Sequence, residues 1–116
     1  MKTHKTLILA FMAISTATLF STARAMDGAE LYKERTCIAC HGAEGNAPVM
    51  SNYPKLAGQT AEYLLAQMKD IKSGARNNAD TVAMKSVMDW ISDEEMDVVA
   101  KWLAGLPAAA QPGDNH

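Results

Sequence analysis

Apolar residues recur at helical spacing in several stretches of this 116-residue chain, and none of those stretches reads as a strand. The pattern is plainest near the end. Met96, Val99, Ala100 and Leu103 fall at i, i+3, i+4 and i+7, with Val98 and Trp102 beside them. Ser92-Asp93-Glu94-Glu95 supplies a capping box with acids in the first turn, where the helix dipole favours them. Gly105 and Pro107 end the segment. A second helix is predicted from about Thr60 to Ser73, with Leu64, Met68 and Ile71 as its stripe, widened by Tyr63 and Leu65. Thr60 can cap it and Gly74 can stop it. A first helix is predicted from Asp27 to about Thr36, with Asp27 as N-cap and Glu30 three residues on. Gly28 and Tyr32 share a face there, and a glycine on that face lets another helix come close. Between Gly74 and Ile91 the pattern is mixed, with Thr81 to Met88 fitting a short helix.

The rest of the chain changes this picture in two ways. Gly42 to Gln59 carries Gly42, Gly45, Asn46, Pro48, Asn52, Pro54 and Gly58, a density of turn formers that no regular element tolerates. Loops longer than about 12–15 residues usually serve a site. At the other extreme, Leu7 to Phe20 is an uncharged apolar run, shorter than the roughly 20 residues of a membrane-spanning helix. It follows Lys2 and Lys5 and precedes Ala23-Arg24-Ala25, a small-x-small cleavage site. Residues 1–25 therefore read as a secretory signal peptide cleaved after Ala25, residues 26–107 as one small helical domain, and residues 108–116 as a disordered tail. With Lys2, Lys5 and Arg24 removed, eight basic residues face 13 acidic ones, a formal charge of −5 that disfavours nucleic acid as a partner.

Candidate chemistry concentrates in Cys37-Ile38-Ala39-Cys40-His41. This is C-x-x-C-H, the attachment signature of a c-type haem. The two thiols can add across the two vinyl groups of one haem, and His41 then stands under the iron as an axial ligand. Three other readings compete. A thioredoxin-like pair needs a strand before the motif. A zinc site needs more nitrogen or sulfur ligands than a chain with two Cys, and with His4 and His116 near its ends, supplies. A structural disulfide would have no use for His41. With one such motif and no internal repeat, one haem is the limit. A carbonyl in Pro54-Lys55-Leu56 can accept a hydrogen bond from the other nitrogen of His41 and fix its tautomer.

The second axial position decides between ligand binding and electron transfer. Methionine is the available candidate, since the mature chain's other His, His116, lies in the tail. Met26 is terminal, Met50 follows His41 too closely, and Met68 and Met96 sit on helical apolar stripes where methionine is ordinary core filler. Met84 and Met88 remain, and sequence logic divides evenly between them.

Over about Asp27 to Leu106 the chain resembles a class I c-type cytochrome, closest to the single-haem bacterial periplasmic type and to one half of its two-haem relatives. The likeness rests on Cys37-Ile-Ala-Cys-His41-Gly, Gly45-Asn46, Tyr53-Pro54-Lys55-Leu56-Ala57-Gly58-Gln59, Tyr63-Leu64, and Met84 seven residues before Ile91-Ser92-Asp93-Glu94-Glu95. It implies an all-α class I cytochrome c fold, about three main helices plus a short one, packed around one covalent haem c. It implies Met84 as the axial methionine opposite His41, Pro54 as the carbonyl that holds His41, and Leu56 against the haem. It also implies a close crossing of the first and last helices through Gly28, Tyr32 and Trp102. Trp90, just before the last cap, can pack on the haem or stand as a partly exposed anchor. Arg76, Asn77 and Asn78 could bond the haem propionates, though a solvated turn suits them better.

The function so implied is a periplasmic carrier of one electron, not an enzyme, docking transiently as a monomer on periplasmic or membrane redox proteins, without a small-molecule substrate. The alternatives are a haem c subunit of a periplasmic dehydrogenase or oxidase complex, and a ligand-binding haem sensor.

Overall fold

The computed structural model describes residues 25–78 and 80–108. The expected signal segment up to residue 24, and the tail from residue 109 on, lie outside those residues. Five helices follow one another without a strand among the described residues: α1 Gly28–Glu34, α2 Cys37–His41, α3 Ala61–Ser73, α4 Thr81–Met88 and α5 Asp93–Ala104. No helix among them is long and apolar enough to cross a membrane.

Caps set most of the boundaries. Asp27 accepts hydrogen bonds from the backbone N–H groups of Ala29 and Glu30, at 2.8 and 3.1 Å. Thr60 caps α3 through the Tyr63 N–H, and Gly74 ends it in the left-handed region. At α5 the capping box is complete, with Ser92 Oγ accepting from Glu95 N–H and Glu95 Oε2 accepting from Ser92 N–H. Glu95 has a second task. Its other oxygen accepts from the Arg35 guanidinium, which ties the end of α1 to the start of α5. That hydrogen bond, followed by the one from Ser92, holds the Glu95 carboxyl below the usual range.

The first helix is shorter than its pattern suggests. It closes at Glu34, and Thr36 turns the chain with φ 62°, a left-handed conformation uncommon for a β-branched residue. That turn separates α1 from α2, a five-residue helix formed by the Cys-x-x-Cys-His segment itself.

Among the described residues the core is a single cluster built from α1, α3, α4 and α5, with Ile91 between the last two. Tyr32, Ile71, Met88, Met96 and Leu103 are its largest fully buried side chains. Helix α5 packs on both α1 and α3, and α4 packs on α3. At the α1–α5 crossing a Cβ on Gly28 would lie 2.4 Å from Trp102 Cβ and 3.1 Å from the Val98 carbonyl oxygen. The Tyr32 and Trp102 rings meet there with centroids 5.0 Å apart. Gly28→Ala should therefore wedge the crossing open, at a cost of about 1–3 kcal/mol. In a domain this small the melting midpoint should fall by at least about 4 °C; an unchanged melt would show that the crossing is loose.

Candidate haem site

An open-sided, largely apolar cavity of about 260 Å3 lies among the helices. Cys37, Cys40 and His41 line it from α2, and Met84, Val87 and Met88 line it from α4. Helices α2 and α4 do not pack on each other, and the cavity is what separates them. Leu64, Met68 and Ile71 of α3 and Val99 and Leu103 of α5 form its floor.

Three connections hold α2 and the loop that follows, the first of them from α1. The Tyr32 hydroxyl donates to the Gly42 carbonyl at 2.8 Å. The Val49 N–H donates to the Cys40 carbonyl at 3.0 Å. His41 Nδ1 lies 3.0 Å from the Pro54 carbonyl oxygen. A carbonyl can only accept, so Nδ1 carries the proton and Nε2 keeps its lone pair. Burial lowers the His41 pKa, with the Pro54 bond opposing, which favours the neutral ring. The loop itself is held from within. Gly45, at φ 67°, turns its carbonyl to accept from both Leu56 and Ala57 N–H groups, at 2.7 and 3.1 Å. The Gly58 N–H then bonds the Leu103 carbonyl on α5 at 3.0 Å. Leu56 and Tyr53 are thereby set on the cavity wall, the Tyr53 ring 6.4 Å from the imidazole.

Three methionines line the cavity, not two. Met68 is buried as core, as its place on the α3 stripe predicts, yet it also reaches the cavity. Met88 is 1% exposed and belongs to the core cluster. Met84 is half-buried and packs only at the edge of that cluster. Met26 and Met50 are exposed, Met96 is fully buried, and none of the three lines the cavity.

At the polar rim Asn77 and Asn78 are exposed, as in a solvated turn, and the structure departs from that reading at Arg76. Arg76 is half-buried on the cavity wall, and its Nη1 donates to Gln67 Oε1 at 2.9 Å. Among the described residues it is the one cationic side chain, Lys or Arg, on the cavity lining. Asn78 also lines the cavity, whereas Asn77 is exposed away from it. Trp90 is 83% exposed and does not line the cavity, so the exposed alternative holds for it. Gln67, nine residues from Arg76, is a residue that sequence reasoning misses. It lies on α3 beside the Leu64-Met68 stripe, and only the position of its neighbours marks it.

The competing readings of the cysteines fare poorly. Both thiols are free. Burial pushes Cys37 up to about 11, the reverse of the lowered pKa that a reactive redox thiol needs. No cluster of three or more His, Cys, Asp or Glu that could hold a metal ion exists among the described residues. The donor set that remains is two free thiols, one imidazole whose Nδ1 is engaged by Pro54, and thioethers across an apolar gap, and it suits a covalently held haem.

A helical fold with that donor set defines the class of proteins that attach haem through Cys-x-x-Cys-His. The chain belongs to the cytochrome c family, whose sequence profile matches residues 25–107; membership implies a covalent haem c. It is 38% identical over 93 residues to a thiosulfate dehydrogenase electron acceptor of Stutzerimonas stutzeri, covering 74% of this chain and 42% of that protein. It is 36% identical over 101 residues to cytochrome c-553 of Nitratidesulfovibrio vulgaris, covering 85% and 97%. The crystal structure of reduced recombinant cytochrome c4 from Pseudomonas stutzeri superposes with a TM-score of 0.58 at 34% identity, over 72% of this chain and 48% of that one. The chain thus spans less than half the length of several relatives it matches, and its fold is that of a class I c-type cytochrome.

Proposed function

We propose that the protein is an exported, periplasmic one-electron carrier with a single haem c, rather than an enzyme. The observation that carries this reading is the gap between α2 and α4, with the attachment motif on one wall and Met84 on the other. Bound there, the haem supplies a reversible one-electron couple at its iron. Cys37 and Cys40 would hold it through thioethers. His41 would offer Nε2 to one side of the iron, kept in orientation by Pro54, and Met84 its sulfur to the other. A His/Met pair raises the potential relative to two nitrogen ligands.

Leu56 and the α3 residues would keep water from the ring. Arg76, hydrogen-bonded to Gln67, and Asn78 line the cavity and would bond carboxylate groups of the haem. Cys40 and Tyr63 both line the cavity and are exposed, Tyr63 by 52%, so the cavity mouth is open. Such a mouth suits the small, short-lived interfaces of redox encounters. The partners would be periplasmic or membrane redox proteins. The relative named as an electron acceptor of thiosulfate dehydrogenase is an instance of the kind.

The test is optical. The reduced holoprotein should show a low-spin spectrum that carbon monoxide at neutral pH leaves unchanged over minutes. Rapid formation of a carbon monoxide adduct would point to an open site and to ligand binding in place of electron transfer.

A further inference from the structure

Two lysines that the proposed site does not use connect the helix carrying Met84 to its neighbour. Lys85, the residue after Met84, turns away from the cavity. Its Nζ donates to the Lys72 carbonyl in the last turn of α3 at 3.0 Å and to Asp89 Oδ1 at 2.8 Å. Lys72 reaches in the opposite direction, and its Nζ donates to the Ile91 carbonyl, just before the Ser92 cap of α5. Each lysine therefore bonds a backbone carbonyl on or beyond the other's helix. Lys85 supplies a cation to a helix C-terminus, where orphan carbonyls and the helix dipole both favour it. Lys72 holds the turn at the far end of α4. Both side chains are half-buried.

We propose that Lys72 and Lys85 form a reciprocal staple that fixes the register of α4 on α3, and so keeps Met84 rather than an open site opposite His41. The proposal rests on the His41/Met84 pairing put forward under the proposed function. Met84 and Met88 stand four residues apart on the same face of α4, so a shift of this eight-residue helix along its axis changes which of them lies opposite His41. Core packing alone constrains such a shift weakly at Met84, which is only half-buried. The two staples act on different degrees of freedom. The Lys85 bonds set the rotation of α4, and the Lys72 bond sets where it ends. Lys72 and Lys85 are positioning residues in this scheme, since neither lines the cavity.

The test uses the exported holoprotein with Lys72→Leu, Lys85→Leu and the double replacement; leucine keeps an apolar stem and adds no new thioether. Carbon monoxide must wait for the sulfur to leave, so its binding rate to the reduced protein scales with the fraction of molecules whose far side is open. The double variant should bind at least roughly tenfold faster than the parent. Lys85→Arg, which keeps donors for both acceptors, should stay near the parent. Lys69→Leu serves as a matched control, because Lys69 is on α3 but pairs with exposed Asp93 at 3.9 Å; it should change nothing. If the double variant melts lower yet binds carbon monoxide at the parent's rate, the staple is merely structural and the proposal fails. Should the double variant not accumulate, the same comparison holds between Lys85→Leu and Lys85→Arg. A parent that itself binds carbon monoxide rapidly overturns the His41/Met84 pairing first, and the staple with it.

Discussion

Met84→Ala is expected to leave the fold intact while opening the iron to carbon monoxide, whereas Met88→Ala is expected to destabilise the fold and leave the iron closed. The two residues share a helix, a face and a cavity wall, and differ in what else they touch. Met88 is 1% exposed within the core cluster, so truncating it removes packed methylenes and leaves a hole. The expected cost is about 2–5 kcal/mol, which in a domain this small lowers the melting midpoint by roughly 10 °C or more. Met84 is half-buried at the cluster's edge, and its loss costs the core little. Its effect appears in the spectrum instead, as loss of the low-spin state and uptake of carbon monoxide. Reading both variants by both measurements separates the roles. If Met88→Ala opens the iron and Met84→Ala does not, the ligand is Met88, and α4 presents its other methionine to the iron in the holoprotein. Met68, the third methionine on the cavity, is the check on completeness: Met68→Ala should resemble Met88→Ala.

The elements with strong local signals are the ones the sequence predicts well. Helix α5 has both halves of its capping box in four consecutive residues and a full apolar face, and it forms where expected. Helix α3 starts at its threonine and stops at its glycine. Helix α2 is different. Five residues are too few to show a period, and what makes them a helix is the turn at Thr36 and the bonds from Tyr32 and Val49. The same limit applies to α4, whose eight residues between two irregular stretches read as helix only weakly.

The site divides in the same way. Cys37, Cys40 and His41 are legible because chemistry fixes their spacing. The hydrogen bond from His41 to Pro54 spans 13 residues of loop, and local pattern gives no more than the presence of a proline with a carbonyl to offer. Gln67 with Arg76, and Lys72 with Lys85, are polar pairs formed by the packing of helices and turns against one another. No spacing rule marks them. Their residue types are ordinary for a solvated face, and only the tertiary arrangement gives them partners.

Replacing both Cys37 and Cys40 by alanine is expected to have the largest effect of any change in the chain. After denaturation no haem should remain with the polypeptide, and in the haem-free protein most of the helical signal in circular dichroism should be lost. The reason lies in which residues face the cavity. Tyr32, Leu64, Met68, Ile71, Met88, Val99 and Leu103 belong both to the core cluster and to the cavity wall. Each is worth about 1.5–3 kcal/mol when fully removed from water, against a net stability of about 5–15 kcal/mol for a whole domain. A wall of seven such side chains that loses its packing on the cavity side forfeits much of that margin, and the described residues hold no second core to draw on. Single replacements should be graded, because the two thiols differ. Cys37 is half-buried beside the core, whereas Cys40 is exposed at the mouth. Cys40→Ala should keep one thioether, the His41 ligand and most of the fold; Cys37→Ala should lower the melting midpoint further, since its link lies deeper. A double variant that stays helical and cooperative without haem would mean that the helices close on each other across the gap between α2 and α4. The cavity would then be a surface feature, and the core would not have been organised around the haem.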